Sequence, residues 1–301
     1  MSEGTMLQHQ QKSPVLPERT VILGAGGFVG AATAAALKAA GGAVLALGRG
    51  EVDLLADDAA DRLSAQLKPG DALMFVSAKA PVKDNAMLLD NIRMGDAVWR
   101  AVAATPVAHL LYVSSDAVYA DTPVPLTEAS AAAPGSLHGA MHVAREVMLR
   151  SNLPQTPLCV LRPTLIYGAS DPHNGYGPNR FRRLANEGSP IRLFGEGEEL
   201  RDHVLVDDVA ELARLILCHR STGILNAASG TVTSFRRLAE LAVAAAGREV
   251  AIEGSPRSGP MPHNGYRPFD ITAIQQAFPT FRPTPIEDGI ALAQKSAAGA
   301  A

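Results

Sequence analysis

Two histidines four residues apart, His138 and His142 in Ser136-Leu-His-Gly-Ala-Met-His-Val-Ala-Arg-Glu146, are the side chains best suited to moving protons. On a helix that spacing puts both rings on one face. An imidazole, with an ordinary pKa near about 6.5, can act as acid or base with little adjustment. The same His-x-x-x-His spacing suits two ligands of a metal, but the sequence shows no evident third, unless His173 or His203 approaches, and no metal site is expected. Two solvated histidines on a helix face are the bland alternative. A second group, Ser114-Ser115-Asp116, ends the apolar run from His109. It reads as a turn or helix cap, or as polar groups delivered to a crevice at a strand's carboxyl end.

A third signal concerns phosphate. Thr20-Val-Ile-Leu-Gly-Ala-Gly-Gly-Phe-Val-Gly30 is a buried strand, a glycine turn and the start of a long helix. Glycines at 24, 27 and 30 allow a tight turn, close approach of backbone to a pyrophosphate, and close helix–strand packing. The helix start then offers amides and dipole to the phosphates of a nicotinamide dinucleotide. The next strand, Ala43–Leu47, ends without an acidic residue for a ribose 2′-hydroxyl. Arg49 stands there instead, which suits a 2′-phosphate and favours NADP, with NAD as the alternative.

These groups must be held by a scaffold, and its pattern is regular. Apolar runs at Thr20–Gly24, Ala43–Leu47, Ala72–Val76, His109–Ser114, Pro157–Leu161 and Gly223–Asn226 alternate with helical stretches at Val29–Ala40, Asp58–Gln66, Met87–Ala104, Leu137–Leu149 and Val206–Leu217. Such alternation predicts an α/β fold: a Rossmann-type doubly wound parallel sheet. Residues 168–200 read as loops over a cleft with one short helix at Asn179–Asn186. From Ser234 onward, helices at Ser234–Ala246 and Ile286–Gln294 flank a Pro/Gly-rich loop at Ser255–Pro268. Residues 19–168, completed by about 204–230, form the expected dinucleotide-binding domain; 169–203 and 231–301 form a small substrate lobe. Residues 1–18 read as a disordered tail, and the chain beyond Gln294 as frayed.

Composition narrows the class. A 301-residue chain, 47% hydrophobic and 19% charged with net charge −3, suits a globular enzyme rather than a nucleic-acid binder. No apolar run reaches membrane-spanning length, the first residues lack the apolar core of a signal peptide, and a cytoplasmic location is expected. Cys159 and Cys218 lie in apolar runs and read as small core residues.

The sequence resembles the extended short-chain dehydrogenase/reductase family of NAD-dependent nucleotide-sugar epimerases, dehydratases and reductases. The resemblance covers Thr20 to Ala293 and rests on the glycine turn, Phe75-Val-Ser-Ala-Lys-Ala80, Asn91, Tyr112-Val-Ser-Ser-Asp-Ala-Val-Tyr119, Leu161-Arg-Pro-Thr-Leu-Ile-Tyr-Gly168, Arg201-Asp-His-Val-Leu-Val-Asp-Asp208 and Gly223-Ile-Leu-Asn-Ala-Ala-Ser-Gly230. Arg49 and Val52-Asp-Leu54 are similar to the dTDP-4-dehydrorhamnose reductase branch, and Phe75 to Ala80 to UDP-galactose 4-epimerase. The resemblance implies cofactor contacts from Gly24, Gly27, Phe28, Val29, Gly30, Arg49, Asp53, Leu54, Ser77, Ala78, Lys79, Asn91, Ser114, His142 and Pro163. Ser115 would bond the substrate oxygen that is oxidised or reduced.

The family's catalytic tyrosine and lysine are replaced here, with His138 at the tyrosine position and His142 at the lysine position. His138 would then relay the proton that accompanies hydride transfer, and His142 would bind the nicotinamide ribose; Asp116, Tyr119 and Tyr167 are other proton sources. The resemblance also implies a nucleoside diphosphate gripped by Arg201 and Arg267, with Asn179 and Arg180 on sugar or base, while Arg182 and Arg183 read as solvated. A homodimer through Met87–Ala104 and Leu137–Leu149 is implied too. The expected activity is NADP-linked redox chemistry or epimerisation at a sugar carbon. The alternative is a catalytically degenerate NAD(P)-binding protein with a regulatory or scaffold role.

Overall fold

The computed structural model describes residues 7–298. In chain order the strands and helices are β1 (Gln8–His9), β2 (Thr20–Leu23), α1 (Phe28–Ala39), β3 (Val44–Leu47), α2 (Ala59–Ser64), β4 (Ala72–Phe75), α3 (Asn85–Ala104), β5 (His109–Val113), α4 (Leu137–Asn152), β6 (Leu158–Pro163) and β7 (Leu165–Tyr167). They continue with α5 (Pro178–Glu187), β8 (Ile191–Phe194), β9 (Leu200–Leu205), α6 (Val206–His219), β10 (Ser221–Ala227), β11 (Val232–Ser234), α7 (Phe235–Ala246), β12 (Ile252–Ser255), β13 (Tyr266–Arg267), α8 (Thr272–Ala277) and α9 (Ile286–Ala298).

Seven strands form the main sheet in the order β1-β10-β6-β5-β4-β2-β3, parallel except for β1. Its inner strands are apolar on both faces because helices cover both: Val21, Ile22 and Leu23 of β2 and Leu73, Met74 and Phe75 of β4 are all buried. Helices α1 and α6 pack on one face, α3 and α4 on the other. The chain leaves β2 for β3 on one side and then crosses to β4 on the other. That reversal opens a crevice at the carboxyl ends of β2 and β4, where an open α/β sheet takes its ligands.

The segment 168–200 is more ordered than its composition suggests. It holds α5 and β8, and β8 pairs with β12; β9 joins β7, β11 and β13 in a second small sheet. Charged and polar residues interrupt these strands, Arg192 in β8 and Arg201, Asp202 and His203 in β9, so no apolar run announces them. A separate apolar cluster under them, including Phe181, Ile191, Leu193, Phe235 and Leu238, unites α5, α7, β8 and α9.

The N-terminal stretch also departs from expectation. Residues 1–6 lie outside the described residues, but Leu7–Glu18 lie along the sheet rather than off it. Gln8 and His9 pair antiparallel with Thr222 and Ser221, and Leu7 and Leu16 pack on the core. The ring of His9 is bonded through Nδ1 to Ser221 Oγ (2.8 Å) and through Nε2 to the Ala277 carbonyl (2.9 Å), and stacks on His219. The segment pairs an otherwise open edge of β10, a need that local composition does not announce. At the other end α9 continues past Gln294 to Ala298. Cys159 and Cys218 are buried and unpaired.

Candidate active site

β2 enters its turn at Gly24, whose φ of +93° only glycine adopts readily. A Cβ on Gly30 would lie 2.2 Å from the Gly24 carbonyl oxygen, so α1 can sit this close to the turn only with glycine there. Gly27 starts α1 without a side-chain cap, which leaves the first amides of the helix free. Around Gly26 there is open space. Free amides at a helix start, facing a roomy cleft, fit a pyrophosphate.

The cleft runs from this turn to the small lobe and encloses about 1280 Å³, beyond the usual ligand pocket and enough for a dinucleotide with a second molecule. One rim carries Arg49, Asp53 and Leu54, the other Ser77, Ala78 and Lys79; Phe28, Val29, Ser114 and Pro163 also line it. The largely exposed Arg49 side chain donates through Nε to Asp53 (3.1 Å). Asp53 accepts the Leu55 amide as well, and that bond, with Arg49, holds its carboxyl below the usual range. Lys79 pairs with Asp90 (2.5 Å). Asn91 does not reach the cleft. It is buried, accepts the Lys79 amide and donates to the Lys79 carbonyl, so it shapes the rim instead of touching a ligand there.

At the far end of the nucleotide half, β5 delivers Ser114, Ser115 and Asp116. Ser136 caps α4 by accepting the Gly139 amide. Gly139 packs so closely on the turn after β5 that a Cβ would lie 2.0 Å from the Ala117 carbonyl oxygen. That contact brings His138 and His142 over the cleft, which both line. Their rings meet edge to face with centroids 4.8 Å apart. His142 is buried, its Nδ1 2.7 Å from the Tyr112 hydroxyl. His138 is mostly buried, with Nδ1 unpartnered.

Burial pushes the pKa of His142 well below the ordinary histidine value, with smaller pushes from His138 and Arg145. His138 is lowered as well, by burial above all, against an upward pull from Asp116. Both rings are therefore neutral near neutrality, and a neutral imidazole can accept a proton. Ser115 Oγ lies 3.4 Å from Asp116, and Asp116 is paired with Arg267 (3.0 Å).

Behind these groups lies a network that the sequence reading passed over. Glu146 accepts from Ser114 Oγ (2.6 Å) and takes a two-point contact from Arg162 (3.0 and 2.6 Å); Arg162 also donates to the Tyr119 hydroxyl. Both charges are buried. The available signal was a lone arginine inside the apolar strand Leu158–Pro163, since a buried charge needs a partner. Tyr119, a candidate proton source, is occupied by Asn226 and Arg162, and burial pushes its phenol up to about 12. Tyr167 is buried with its hydroxyl unpartnered and its pKa raised.

On the substrate side, Arg201 and Arg267 line the cleft but are already paired. Arg201 meets Glu199 (3.2 Å), and Arg267 meets Asp116 and Asp121 (2.9 Å). Arg257 also holds Glu199 (2.5 Å), and His263 holds Asp121 (2.5 Å). Asn179 lines the cleft and accepts the Gly168 amide. Arg180 does not: it is exposed on α5 and lies away from the cleft. Arg182 is buried, not solvated, and donates to the Ala169 carbonyl. His173 lies exposed at the rim, while His203 is buried with Nδ1 at the Arg201 carbonyl and Nε2 unpartnered. Among the described residues no group of three or more His, Cys, Asp or Glu side chains is placed to hold a metal ion.

Burial holds His109 and His203 down at about 4, and His142 is low for the same reason. Folded values below the unfolded value mean that stability is intact above about pH 6.5 and is lost as pH falls toward about 4, by up to about 1.4 kcal/mol per pH unit for each ring. Asp202, whose carboxyl is pushed up by burial, opposes this only nearer the carboxylate range. Thermal melts between about pH 7.5 and 5 should therefore show a falling Tm, and a flat Tm would contradict the burial of these rings.

The sequence profile of the NAD dependent epimerase/dehydratase family matches residues 20–228. A dTDP-L-rhamnose 4-epimerase of Burkholderia thailandensis is 34% identical over 138 residues, 43% of this chain and 38% of that protein, so the match spans well under half of the relative. Among solved structures, a UDP-glucose 4-epimerase of Thermus thermophilus in complex with NAD superposes with TM-score 0.83 at 23% identity, over 94% of this chain and 100% of that one. A GDP-L-fucose synthetase of Naegleria fowleri bound to NADP gives TM-score 0.82 at 17% identity, over 97% and 96%. At these identities the superpositions speak for the fold. No helix among the described residues is long and apolar enough to cross a membrane.

Proposed function

From the premise that this chain belongs to the NAD dependent epimerase/dehydratase family, we propose that it catalyses NADP-linked redox chemistry or epimerisation at a sugar carbon of a nucleotide-sugar, with His138 as acid and base. The observation that carries this reading is the neutral imidazole of His138, which lines one cleft with Ser115, Asp116 and the glycine turn. When bound, the nicotinamide supplies the acceptor or donor of a hydride. The protein's own part is to hold the sugar hydroxyl with Ser115 and to take its proton on His138 as the carbon loses hydride. The proton returns when hydride does. Residues 19–168 with about 204–230 would hold the cofactor, and 169–203 with 231–301 the substrate. The names of the similar proteins, a dTDP-sugar, a UDP-sugar and a GDP-sugar enzyme, support the substrate class without choosing a base. A homodimer through α3 and α4 would cover Leu89 and Val147, which are exposed on those helices.

The reading is tested by calorimetry of the purified protein with NADP and NAD, followed by absorbance assays with dTDP-, UDP- and GDP-sugars. Tight cofactor binding with turnover on one sugar is the expected result. Binding of neither cofactor would overturn it. The preference for NADP rests on Arg49 at the rim, where a guanidinium can fork onto a 2′-phosphate by leaving Asp53. Arg49→Ala should weaken NADP about tenfold and leave NAD within about twofold. Equal losses for both would assign Arg49 to the surface.

The substrate end yields a separate expectation. Arg201→Ala should raise KM for the nucleotide-sugar by about 10- to 100-fold, the worth of a charge-assisted hydrogen bond, with little change in cofactor affinity. Steady-state kinetics alongside cofactor titration would check this, and matched losses would argue against a diphosphate contact.

A further inference from the structure

The buried stripe of α4 carries His142, Arg145, Glu146 and Leu149 at helical spacing, so two charged residues lie where apolar ones belong. Glu146 has Arg162. Arg145 has no carboxylate partner among the described residues, although it is the largest fully buried side chain of the protein. Its Nε donates to the Asn91 carbonyl (2.8 Å), Nη1 to the Ser77 carbonyl (2.9 Å) and Nη2 to Asn91 Oδ1 (3.0 Å), and its guanidinium lies over the Phe75 ring (4.7 Å). Neutral acceptors satisfy its hydrogens but leave its charge uncancelled, and a lone buried charge is costly to keep. Its field falls on Tyr112, His142 and His138.

Tyr112, on β5, is the link. Its hydroxyl lies 2.7 Å from His142 Nδ1 and in the field of Arg145, a group with donors only, whose guanidinium covers Phe75, the ring packed on Tyr112. Burial raises the phenol pKa, so it keeps its hydrogen. A hydroxyl between a cation and an imidazole nitrogen turns its lone pairs to the cation and its hydrogen to the nitrogen. Nδ1 of His142 then accepts, and the ring's one hydrogen resides on Nε2, which no group among the described residues takes.

We infer that Tyr112 and Arg145 are positioning residues that hold His142 as a neutral Nε2–H donor toward the cleft, leaving His138 as the one imidazole of the pair that exchanges a proton. The inference rests on the proposed role of His138 and adds a division of labour to it. A neutral His142 can donate to a hydroxyl of the bound molecules without placing a second positive charge against His138 once that ring is protonated. The groups facing the pair are Tyr112 from β5, Asp116 from the turn that follows it, and Arg145 from α4 itself. Asp116 favours the charged form of His138 and Arg145 opposes it, so the inner ring, nearer the cation, is the one kept neutral.

The test is long-range proton–nitrogen NMR of the full chain labelled with 15N-histidine, with the His142 signals assigned by their loss in His142→Gln. In the unaltered protein His142 should be neutral and protonated on Nε2 from about pH 5 to 8. Tyr112→Phe should give a mixture of the two tautomers. Arg145→Gln should raise the titration of His142 only in part, because burial still holds it below the ordinary histidine value, with Arg145→Lys restoring the lower value. An imidazolium at about pH 6, a proton on Nδ1, or an unchanged pattern in Tyr112→Phe would overturn the inference. The spectra of the unaltered protein and of Tyr112→Phe decide the matter even if Arg145→Gln does not fold. None of these readouts needs turnover: an inactive protein with the expected tautomer would refute only the proposed function, and an active one with the other tautomer only this inference.

Discussion

Replacing His138 with alanine should lower kcat by about 100- to 10,000-fold, the usual worth of a positioned acid or base, while NADP affinity stays within about threefold. The asymmetry follows from position. His138 lines the cleft together with Ser115 and Asp116, which follow β5, whereas the glycine turn and Arg49 follow β2 and β3. Added imidazole should restore part of the turnover by filling the vacated space. The pH profile supplies a second check. Burial holds His138 below the ordinary histidine value, so the form that accepts a proton persists below about pH 6.5 and disappears only as pH falls further. The acid limb of kcat for sugar oxidation should therefore lie on the low side of that value. Turnover retained in His138→Ala would move the proton elsewhere. Full loss of cofactor binding would show that the substitution disturbs the fold.

The second large effect concerns stability. Glu146→Ala should cost about 3–5 kcal/mol in denaturant unfolding, because it strands Arg162 as a buried charge and takes the acceptor from Ser114. The same argument predicts that Glu146→Ala combined with Arg162→Met recovers most of the loss, since the pair's value lies mainly in not being broken. A loss below about 1 kcal/mol in Glu146→Ala would mean that water reaches the pair.

Legibility in the sequence followed the length and regularity of the signal. The six parallel strands of the main sheet and the helices between them could be read because each is a run of mostly apolar residues bounded by polar turns, and the glycine turn because its spacing has one physical purpose. β8, β9, β11, β12 and β13 could not, because charged and polar residues break up their apolar positions and they lie in segments rich in glycine, proline and arginine. His138 and His142 could be placed on one helix face from their spacing alone. The partners of His142 could not, because Tyr112 lies thirty residues away on another element. Arg180 failed for the opposite reason: it neighbours Asn179 in sequence, but one residue turns a helix by about 100° and takes it off the cleft. The pairing of Arg267 with Asp116 and Asp121 was equally out of reach, since these become neighbours only through the fold, whereas Glu199 lies two residues from Arg201.

That pairing has a consequence for timing. Arg267 binds Asp116, and Asp116 is the group that makes His138 more willing to accept a proton. An anionic ligand that drew Arg267 onto itself would bare the Asp116 carboxylate at the moment the ligand arrived. The imidazole would then be a weaker base in the empty protein than in the loaded one, so arrival of cargo would itself arm the proton acceptor.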